Sequence, residues 1–215
     1  MECLIEWPNW TRELEAAAQK TGSYSTGIES DKKQRGQAVN VDLFGYDEEQ
    51  KIIVVQVRQA IFHPRRFTEV RKNYLLIGRN EETGAVFTHP VESPARSKKA
   101  LETPESCVAY VLAKIWDCRM EDLDEIKRQG DIAFIPVCSI PAGAVEVQGP
   151  VVIRDTHKIT GEKIYQAGET YYIAKHGHAT HTKRQHAPVT VRNGFFRVQT
   201  GNRSSLWDFS ERRGD

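Results

Sequence analysis

Four histidines lie within sixteen residues in the last third of the sequence. The stretch AKHGHATHTKRQHAPV, residues 174–189, contains His176, His178, His181 and His186. Neutral imidazoles that share one surface can bind Zn²⁺, and they can also transfer protons because they titrate close to neutral pH. The stretch therefore raises three hypotheses: a metal site, an acid–base site, or a basic surface loop.

The metal hypothesis depends on which rings the fold brings together. If the strand before them continues through residue 178, His176 and His178 share one face. Closure of a small barrel would bring the segment RDTHKITG close to them. The candidate ligands are then Asp155, His157, His176, His178 and His181. Three imidazoles and an open position suit a catalytic Zn²⁺, but residues 170–207 contain no acid to orient the rings. The sequence favours a basic loop first, an anion or RNA contact second and metal chemistry third.

A second group of cations lies between residues 58 and 79, with aromatic residues among them. Guanidinium groups bind phosphate, and aromatic rings stack on bases. We therefore predict nucleic-acid contacts here and in the histidine-rich stretch. The predicted contacts are Arg58, Arg65, Arg66, Arg71, Lys72, Lys175, His176, His178, Lys183 and Arg184. The alternative is a solvated loop whose arginines pair with the acids at 47–49 and 81–82.

The charge of the chain supports an anionic partner for its last third. The 215 residues carry a net charge of only +1. Residues 150–215 nevertheless contain eleven Lys and Arg residues against six Asp and Glu residues, and five of the seven histidines. A basic region on a slightly acidic body attracts nucleic acid or another polyanion. A small β domain can also be basic without any function, and the sequence leaves both readings open.

The stretch VDLFGYDEEQKIIVVQVRQA resembles the core of PD-(D/E)XK nucleases. In that family an Asp on one strand and a Glu-x-Lys on the next strand hold Mg²⁺, which activates water. Asp42 matches the Asp, whereas Gln56 and Arg58 stand where the Glu and the Lys would be. The predicted order of helix, three strands, helix and strand is also similar to that core. The resemblance implies a nuclease site at Asp42, Gln56 and Arg58, or a binding-only derivative of one.

Periodicity predicts the elements of the first 128 residues. A helix is expected over residues 9–20, followed by a mobile loop over 21–37. Apolar residues alternate in four stretches, which predicts strands over 38–47, 51–62, 73–79 and 85–91. Thr103 and Pro104 are suited to begin a helix, and an apolar stripe from Cys107 to Trp116 follows them. A second short helix is expected over 120–128.

The remainder of the sequence predicts only strands. Seven short β segments separated by Gly and Pro are expected over 131–137, 144–147, 151–154, 163–166, 170–175, 188–191 and 194–199, with a hairpin turn at 193–196. The predicted fold class is α+β: an N-terminal mixed sheet with packed helices, then a small all-β barrel or sandwich. The predicted domains are residues 1–128 and residues 129–215.

A second resemblance covers residues 129–199. The motifs are QGD at 129–131, PV at 136–137, IPAGA at 140–144, TG at 160–161 and HAPV at 186–189. Together they resemble a group of uncharacterised short bacterial and phage β-domain proteins. Those proteins commonly carry histidines directly after the TG turn, where this sequence has Glu162 and Lys163. The resemblance implies a compact β domain and no particular reaction.

Three functions remain open from the sequence. The first is a nucleic-acid-binding protein, RNA over DNA, that also processes its ligand or only binds it. The second is a hydrolase that uses a divalent metal, Mg²⁺ or Zn²⁺, and the third is an interaction module that binds a protein partner in a larger assembly. The beginning of the sequence lacks the pattern of a signal peptide, and the four cysteines lack paired spacing, so we expect a cytoplasmic protein without a membrane segment.

Overall fold

The computed structural model of the chain describes residues 37–61, 69–79, 86–184 and 186–201. The predicted helix over 9–20 and the predicted loop up to residue 36 lie outside these residues. The chain divides into two compact units, and their boundary falls between Val111 and Leu112. The domain boundary at residue 128 stays a prediction.

The first unit contains an antiparallel sheet of four strands. The strands are β1 (Gln37–Asp47), β2 (Ile52–Ile61), β3 (Glu69–Arg79) and β4 (Val86–Val91). They lie side by side in sequence order, and every neighbouring pair is antiparallel. The prediction of a mixed sheet is therefore wrong. The connections are short, and a parallel pair would need a long crossover instead.

The centre of this sheet is buried on both faces. Every residue from Ile52 to Val57 on β2 is buried, and so is every residue from Tyr74 to Ile77 on β3. An uninterrupted apolar run is what a strand covered on both faces requires. Before β2, the Gln50 backbone N–H donates to Asp47 Oδ1 at 2.9 Å, which stabilises the β1–β2 turn.

One α-helix is present among the described residues, α1 (Pro104–Trp116). Two short 3₁₀ helices, Pro94–Arg96 and Lys99–Leu101, precede it. The Ser106 backbone N–H donates to Thr103 Oγ1 at 3.1 Å, and the Thr103 backbone N–H donates to Ser106 Oγ at 3.0 Å. This reciprocal cap confirms the predicted start of the helix. The predicted apolar stripe is also buried: Cys107, Val108, Val111, Leu112, Ile115 and Trp116.

Gly45 on β1 provides the first test of this packing. A Cβ atom at Gly45 would lie 2.5 Å from Cys107 Cβ and 2.6 Å from the Pro104 carbonyl oxygen. We expect Gly45→Ala to lower the free energy of unfolding by about 1–3 kcal/mol, because the backbone of α1 must shift. Urea denaturation followed by circular dichroism measures this change.

Gly78→Ala is the matched control for Gly45→Ala. A Cβ atom at Gly78 would lie 2.7 Å from Phe87 Cζ, the far end of a ring that is 39% exposed. That ring can turn aside, so the loss at Gly78 should be the smaller of the two. Equal losses would show that Gly45 has room for a methyl group and that β1 and α1 are not in close contact there.

The chain after α1 differs from the second helix that the sequence predicts. A 3₁₀ helix spans Met120–Glu125, and the strand β5 (Lys127–Gln129) follows directly. The prediction of a helix through residue 128 is therefore wrong. The β5 strand is held by antiparallel pairing with Ile132, Ala133 and Phe134, a tertiary interaction that overrides local helix propensity.

The second unit contains an antiparallel sheet of seven strands. They are β5, β6 (Ile132–Val137), β7 (Val145–Val147), β8 (Val151–Ile153), β9 (His157–Ala167), β10 (Thr170–His181) and β11 (Val189–Thr200). Their order is β5-β6-β11-β10-β9-β7, and β8 also pairs with β9. The described strands form no closed barrel, so that prediction is wrong. Closure requires the two edges to hydrogen-bond to each other, whereas β7 and β8 both pair only with β9.

Two predicted turns lie inside long strands. Thr160 and Gly161 belong to β9, and the predicted hairpin turn at 193–196 belongs to β11. The register shifts between Lys175 and Gly177 on β10, where a β-bulge interrupts the pairing with both neighbouring strands. A bulge absorbs residues with positive φ, such as Lys175 at 67° and Asn193 at 59°. Turn-forming residues in this sequence therefore bend strands instead of ending them.

One face of the second sheet carries its apolar core. The core residues are Ile132, Phe134, Ile159, Ile173, Ala179, Val191, Phe196 and Val198. We call this side the core face, and the opposite side of β9, β10 and β11 the outer face. Because side chains alternate along a strand, the residues beside these core positions point to the outer face.

No helix among the described residues is long and apolar enough to cross a membrane. Cys107, Cys118 and Cys138 are free thiols. Burial raises the pKa of the Cys107 thiol to about 11, so this residue packs as a small apolar side chain and is not a nucleophile.

Candidate functional site

The structure brings two of the nuclease candidates together. Asp42 on β1 lies directly opposite Gln56 on β2. Gln56 is buried, and its Nε2 donates to Tyr74 Oη at 2.6 Å. This amide therefore has a structural partner. Among the described residues, four strands precede α1 and the next strand belongs to the other sheet, whereas the predicted nuclease core has three strands before its second helix.

The arginine-rich segment is described only in part. Arg65 and Arg66 lie outside the described residues. The backbone of Arg58 on β2 lies opposite Lys72 on β3, and Arg71 lies opposite Gln59. The side chain of Lys72 is exposed. The nucleic-acid contacts predicted for this segment stay predictions.

The histidines that the sequence groups together are separated in the structure. His176 is exposed at the bulge of β10. His178 lies on the outer face, where its Nδ1 is 2.9 Å from Thr190 Oγ1. His181 is buried on the other side of the strand. Asp155 is exposed in the turn before β9, with φ of 57°. These four side chains therefore form no common site.

A different set of rings meets at the end of β10. The ring centroids of His157 and His181 are 4.8 Å apart, and those of His181 and His186 are 5.4 Å apart. Both pairs are edge-to-face, with interplanar angles of 88° and 86°. His157 is only 2% exposed and His181 only 7%. We call His157, His181 and His186 the histidine cluster.

One nitrogen of His157 has polar neighbours, and the other has no hydrogen-bond partner among the described residues. His157 Nδ1 lies 3.0 Å from Thr156 Oγ1 and 3.4 Å from Asp131 Oδ1. His157 Nε2 is buried without a hydrogen-bond partner among the described residues. His181 Nδ1 accepts from the Lys183 backbone N–H at 3.2 Å. His157 therefore holds an unused polar atom inside the cluster.

Burial dominates the electrostatics of His157. Desolvation lowers its pKa below the usual range because the charged imidazolium loses its hydration. The Asp131 carboxylate opposes this effect, whereas the neighbouring rings of His181 and His186 add to it. Asp131 is itself engaged by Arg154 Nη1 at 2.8 Å, which weakens its attraction for a proton on His157.

The described residues contain no group of three or more His, Cys, Asp or Glu side chains arranged to hold a metal ion. The lone pair of His181 Nδ1 is already used by the Lys183 N–H. A neutral imidazole with an accepting Nδ1 carries its proton on Nε2, which then cannot be a ligand. The donor set of the histidine cluster therefore fits a packed, neutral group of rings better than a zinc site.

The outer face carries aromatic side chains in adjacent strands. Tyr165 on β9 lies directly opposite Tyr172 on β10, and both are half-buried. Phe195 on β11 is 40% exposed and lies diagonally from Tyr172, since it pairs with Ala174. Side chains related in this way across strands are within reach of one another. We call Tyr165, Tyr172 and Phe195 the aromatic platform.

Beyond the aromatic platform, the outer face carries cationic and hydroxyl side chains. Lys163 lies beside Ala174 in the next row, and His178 lies between Thr160 and Thr190. Lys158 is exposed between His157 and Ile159, which are both buried on the other side. Arg192 is exposed after Val191, a core residue. Ile159 and Ile164 on β9 are both buried although they are five positions apart, so alternation is interrupted at the bulge. Lys158 and Tyr165 therefore share one face, which extends roughly 23 Å along β9.

Some cations near the outer face are neutralised by acids. Arg197 Nη1 lies 2.6 Å from Asp117 Oδ2, and its Nη2 donates to the Asp117 carbonyl oxygen. Lys175 Nζ lies 2.6 Å from Glu162 Oε1, which holds the pKa of Glu162 below its usual range.

Four other cations remain available in the second unit. Lys158, Lys183, Arg184 and Arg192 are exposed and form no ion pair with any residue that the structure describes. Lys163 Nζ lies 4.0 Å from Glu146 Oε2, at the limit for an ion pair, and both side chains are about half exposed. The outer face therefore carries two exposed cations, Lys158 and Arg192, that have no acid partner among the described residues.

A half-open cleft of about 240 Å³ adjoins the outer face. The loop between β7 and β8 lines one side, and the middle of β9 from Thr160 to Ile164 lines the other. Pockets for small-molecule substrates usually enclose about 300–1,000 Å³. The cleft is therefore too small and too open to indicate an enzyme site for a small molecule.

Sequence reasoning missed the aromatic platform, although a signal for half of it was present. Ala167 pairs with Thr170 around Gly168, which has φ of 60°. A two-residue hairpin centred there predicts that Tyr165 faces Tyr172. The histidine cluster had no such signal, because the bulge on β10 changes the register between that hairpin and His181.

No family model matches the chain, and neither a curated protein nor a solved structure does. The resemblances of residues 1–128 and of residues 129–199 therefore stay predictions.

Proposed function

We propose that this chain binds single-stranded nucleic acid, RNA over DNA, on the outer face of its second sheet. The observation that carries the proposal is that the aromatic platform and unpaired cations lie on the same side of the sheet, the cations farther along it. Every base has a flat π surface, so exposed rings on a sheet can bind bases of any sequence. Lysine and arginine next to the rings bind the phosphates between those bases.

The chemistry of the face favours a single strand over a duplex. Bases in a duplex are stacked on each other and present only their edges to a protein. A flat sheet surface with rings across adjacent strands requires unstacked bases instead. Phe195, at 40% exposure, is a large apolar side chain that a stacked base would cover. His178, Thr160 and Thr190 offer hydrogen bonds beside the rings, where polar base edges or a ribose hydroxyl can be bound.

The charge distribution supports the same ligand. Lys158 is exposed on the outer face at the end opposite Tyr165 and Tyr172, and Arg192 is exposed at the bulge in the middle of β11. Lys183 and Arg184, which the sequence already predicts as contacts, follow the end of β10. A strand that lies across the rings towards Lys158 would pass from stacking contacts to phosphate contacts.

The first test measures the charge contribution through salt dependence. We expect a fluorescein-labelled RNA of about twelve nucleotides to bind with an affinity that falls steeply as salt rises, with a log–log slope near −0.7 per phosphate contacted. The double variant Lys158→Gln/Arg192→Gln removes two such contacts and should make the slope shallower by about 1.4. Fluorescence anisotropy between low and moderate salt gives both slopes.

Lys98→Gln is the control for the charge variant. Lys98 is exposed and belongs to the first unit, so it is not part of the outer face, and its loss should leave the slope unchanged. DNA of the same sequence and the matching duplex give the preference of the protein for its ligand. Absence of binding at low salt, or equal slopes for wild type and the double variant, would overturn the proposal in favour of a protein partner or a hydrolase.

A further inference from the structure

We propose that the histidine cluster is an acid-sensitive latch that fastens the connection between β10 and β11 to the turn between β5 and β6. We define the latched segment as residues 182–184 and 186–188. At neutral pH the rings hold this segment closed, and below neutral pH protonation releases it. The proposal is independent of the nucleic-acid ligand.

Two contacts fasten the segment to the turn between β5 and β6. Gln129 Nε2 donates to the Ala187 carbonyl oxygen at 2.7 Å. The ring of His186 lies against Gly130, where an added Cβ would be only 2.8 Å from His186 Cδ2 and Nε2. The same Cβ would lie 3.5 Å from His157 Nε2, so both rings meet over this glycine. The latch therefore depends on a residue without a side chain at position 130.

Hydrogen bonds of the segment depend directly on a neutral His181. The Lys183 backbone N–H donates to His181 Nδ1, and the Arg184 N–H donates to the His181 carbonyl oxygen at 2.9 Å. The Thr182 N–H donates to the Thr156 carbonyl oxygen at 2.7 Å, next to His157. A proton on His181 Nδ1 would remove the acceptor for Lys183. The bond that closes the segment at Lys183 therefore requires a lone pair on His181 Nδ1.

The charged groups around His157 determine the direction of the effect. Asp131 faces it from the turn between β5 and β6, with Arg154 bound to the other carboxylate oxygen. His181 faces it from β10, and His186 lies next to His181 on the connection. One partly neutralised carboxylate offsets only part of the hydration that a charged His157 ring loses on burial. Protonation within the closed cluster is therefore unfavourable.

The pH window follows from His157. Its pKa is held below its ordinary value of 6.5 while the segment is closed, and release exposes the ring to water. The closed form therefore binds fewer protons than the open form. Its stability is complete above pH 6.5 and is lost as pH falls below that value, by at most about tenfold in the closed-to-open ratio per pH unit for one ring.

Hydrogen exchange of residues 182–184, measured by mass spectrometry, tests the latch. Protection of these amides, corrected for the intrinsic exchange rate, should fall severalfold between pH 7.5 and pH 5.5, with about tenfold as the limit for one ring. His157→Phe keeps a ring in the core but cannot be protonated, so its protection should change much less with pH. If His157→Phe fails to fold, His186→Ala should show low protection already at neutral pH. Protection that is equally strong at both pH values in the wild type would overturn the proposal.

Gly130→Ala opens the latch without acid and has a matched control. Gly130 has φ of 58° and Gly168 has φ of 60°, so alanine strains the backbone similarly at both positions. A Cβ at Gly168 meets nothing within 4 Å, whereas at Gly130 it displaces His186. At pH 7.5 we expect at least about tenfold faster exchange of residues 182–184 in Gly130→Ala than in Gly168→Ala. Equal exchange in the two variants would contradict the latch.

Added Zn²⁺ separates the latch from a metal site. A cluster that works by protonation should bind no stoichiometric Zn²⁺ at pH 7.5, in titration calorimetry of untagged protein. If one equivalent of Zn²⁺ binds and His157→Phe abolishes it, the cluster is a metal site and the latch proposal is wrong.

Discussion

Phe134→Ala is expected to lower the free energy of unfolding of the second unit by about 3–5 kcal/mol. Phe134 on β6 is 1% exposed and belongs to the core face with Ile132, Phe196 and Val198. Truncation removes a large buried ring and leaves a cavity that the neighbouring strands can close only in part. Urea denaturation, followed by far-ultraviolet circular dichroism, measures the loss. This is the largest stability effect that we predict for a single substitution in the chain.

Phe195→Ala is the matched comparison for Phe134→Ala. Both are phenylalanines of the second sheet, but Phe195 lies on the outer face and is 40% exposed. Its truncation should lower the free energy of unfolding by about 1 kcal/mol or less, because the ring buries less apolar area and its removal leaves no enclosed cavity. Similar losses for the two variants would mean that another part of the protein covers the outer face. In that case the aromatic platform would be a packing surface and not a binding surface.

Local signals were sufficient to predict the helix and the strands of the first unit. Thr103 and Pro104 mark the start of α1 through capping chemistry that involves only neighbouring residues. The apolar run Ile52–Val57 predicts a strand because its length and β-branched residues suit a covered sheet. These features need no knowledge of distant residues, and the observed strands begin and end within a few residues of the predicted ones.

Non-local pairing explains what the sequence did not predict. Strands β9, β10 and β11 are long because they pair with each other, although Gly161, Gly177 and Asn193 suggest turns locally. Bulges accommodate those residues within a strand, and the register of the pairing beyond a bulge differs from the register before it. A shift of one position moves every later side chain to the opposite face. The histidines were therefore assigned to the wrong partners.

The histidine cluster shows the same limit at the level of the site. His157 and His181 are opposite each other on β9 and β10, whereas His186 reaches them from the following connection. The sequence predicted the meeting of His157 and His181 only through a barrel that does not close. The pairing of His157 with His181 depends on the bulge, and the contact of His186 with Gly130 depends on the positive φ of that glycine. Neither can be read from residue types or spacing.

The aromatic platform provides the largest expected effect on binding. We expect Tyr172→Ala/Phe195→Ala to raise the dissociation constant for single-stranded RNA at least about thirtyfold, since base stacking contributes about 1–3 kcal/mol per ring. Both side chains lie on the outer face, so their loss removes stacking surface without opening the core. Anisotropy titrations at fixed low salt measure the change, and the urea transition of the variant confirms that its sheet is intact. Phe87→Ala, an exposed aromatic residue of the first unit, is the control and should bind like the wild type.

Salt dependence separates the contribution of the rings from that of the cations. Stacking releases no counterions, so Tyr172→Ala/Phe195→Ala should weaken binding at every salt concentration and leave the log–log slope unchanged. Lys158→Gln/Arg192→Gln should instead make the log–log slope shallower. A folded aromatic variant that binds like Phe87→Ala would show that the rings do not contact bases, and the cations alone would then have to account for any affinity. A shallower slope in the aromatic variant would instead mean that the rings position the cations, because only ionic contacts determine how strongly salt weakens binding.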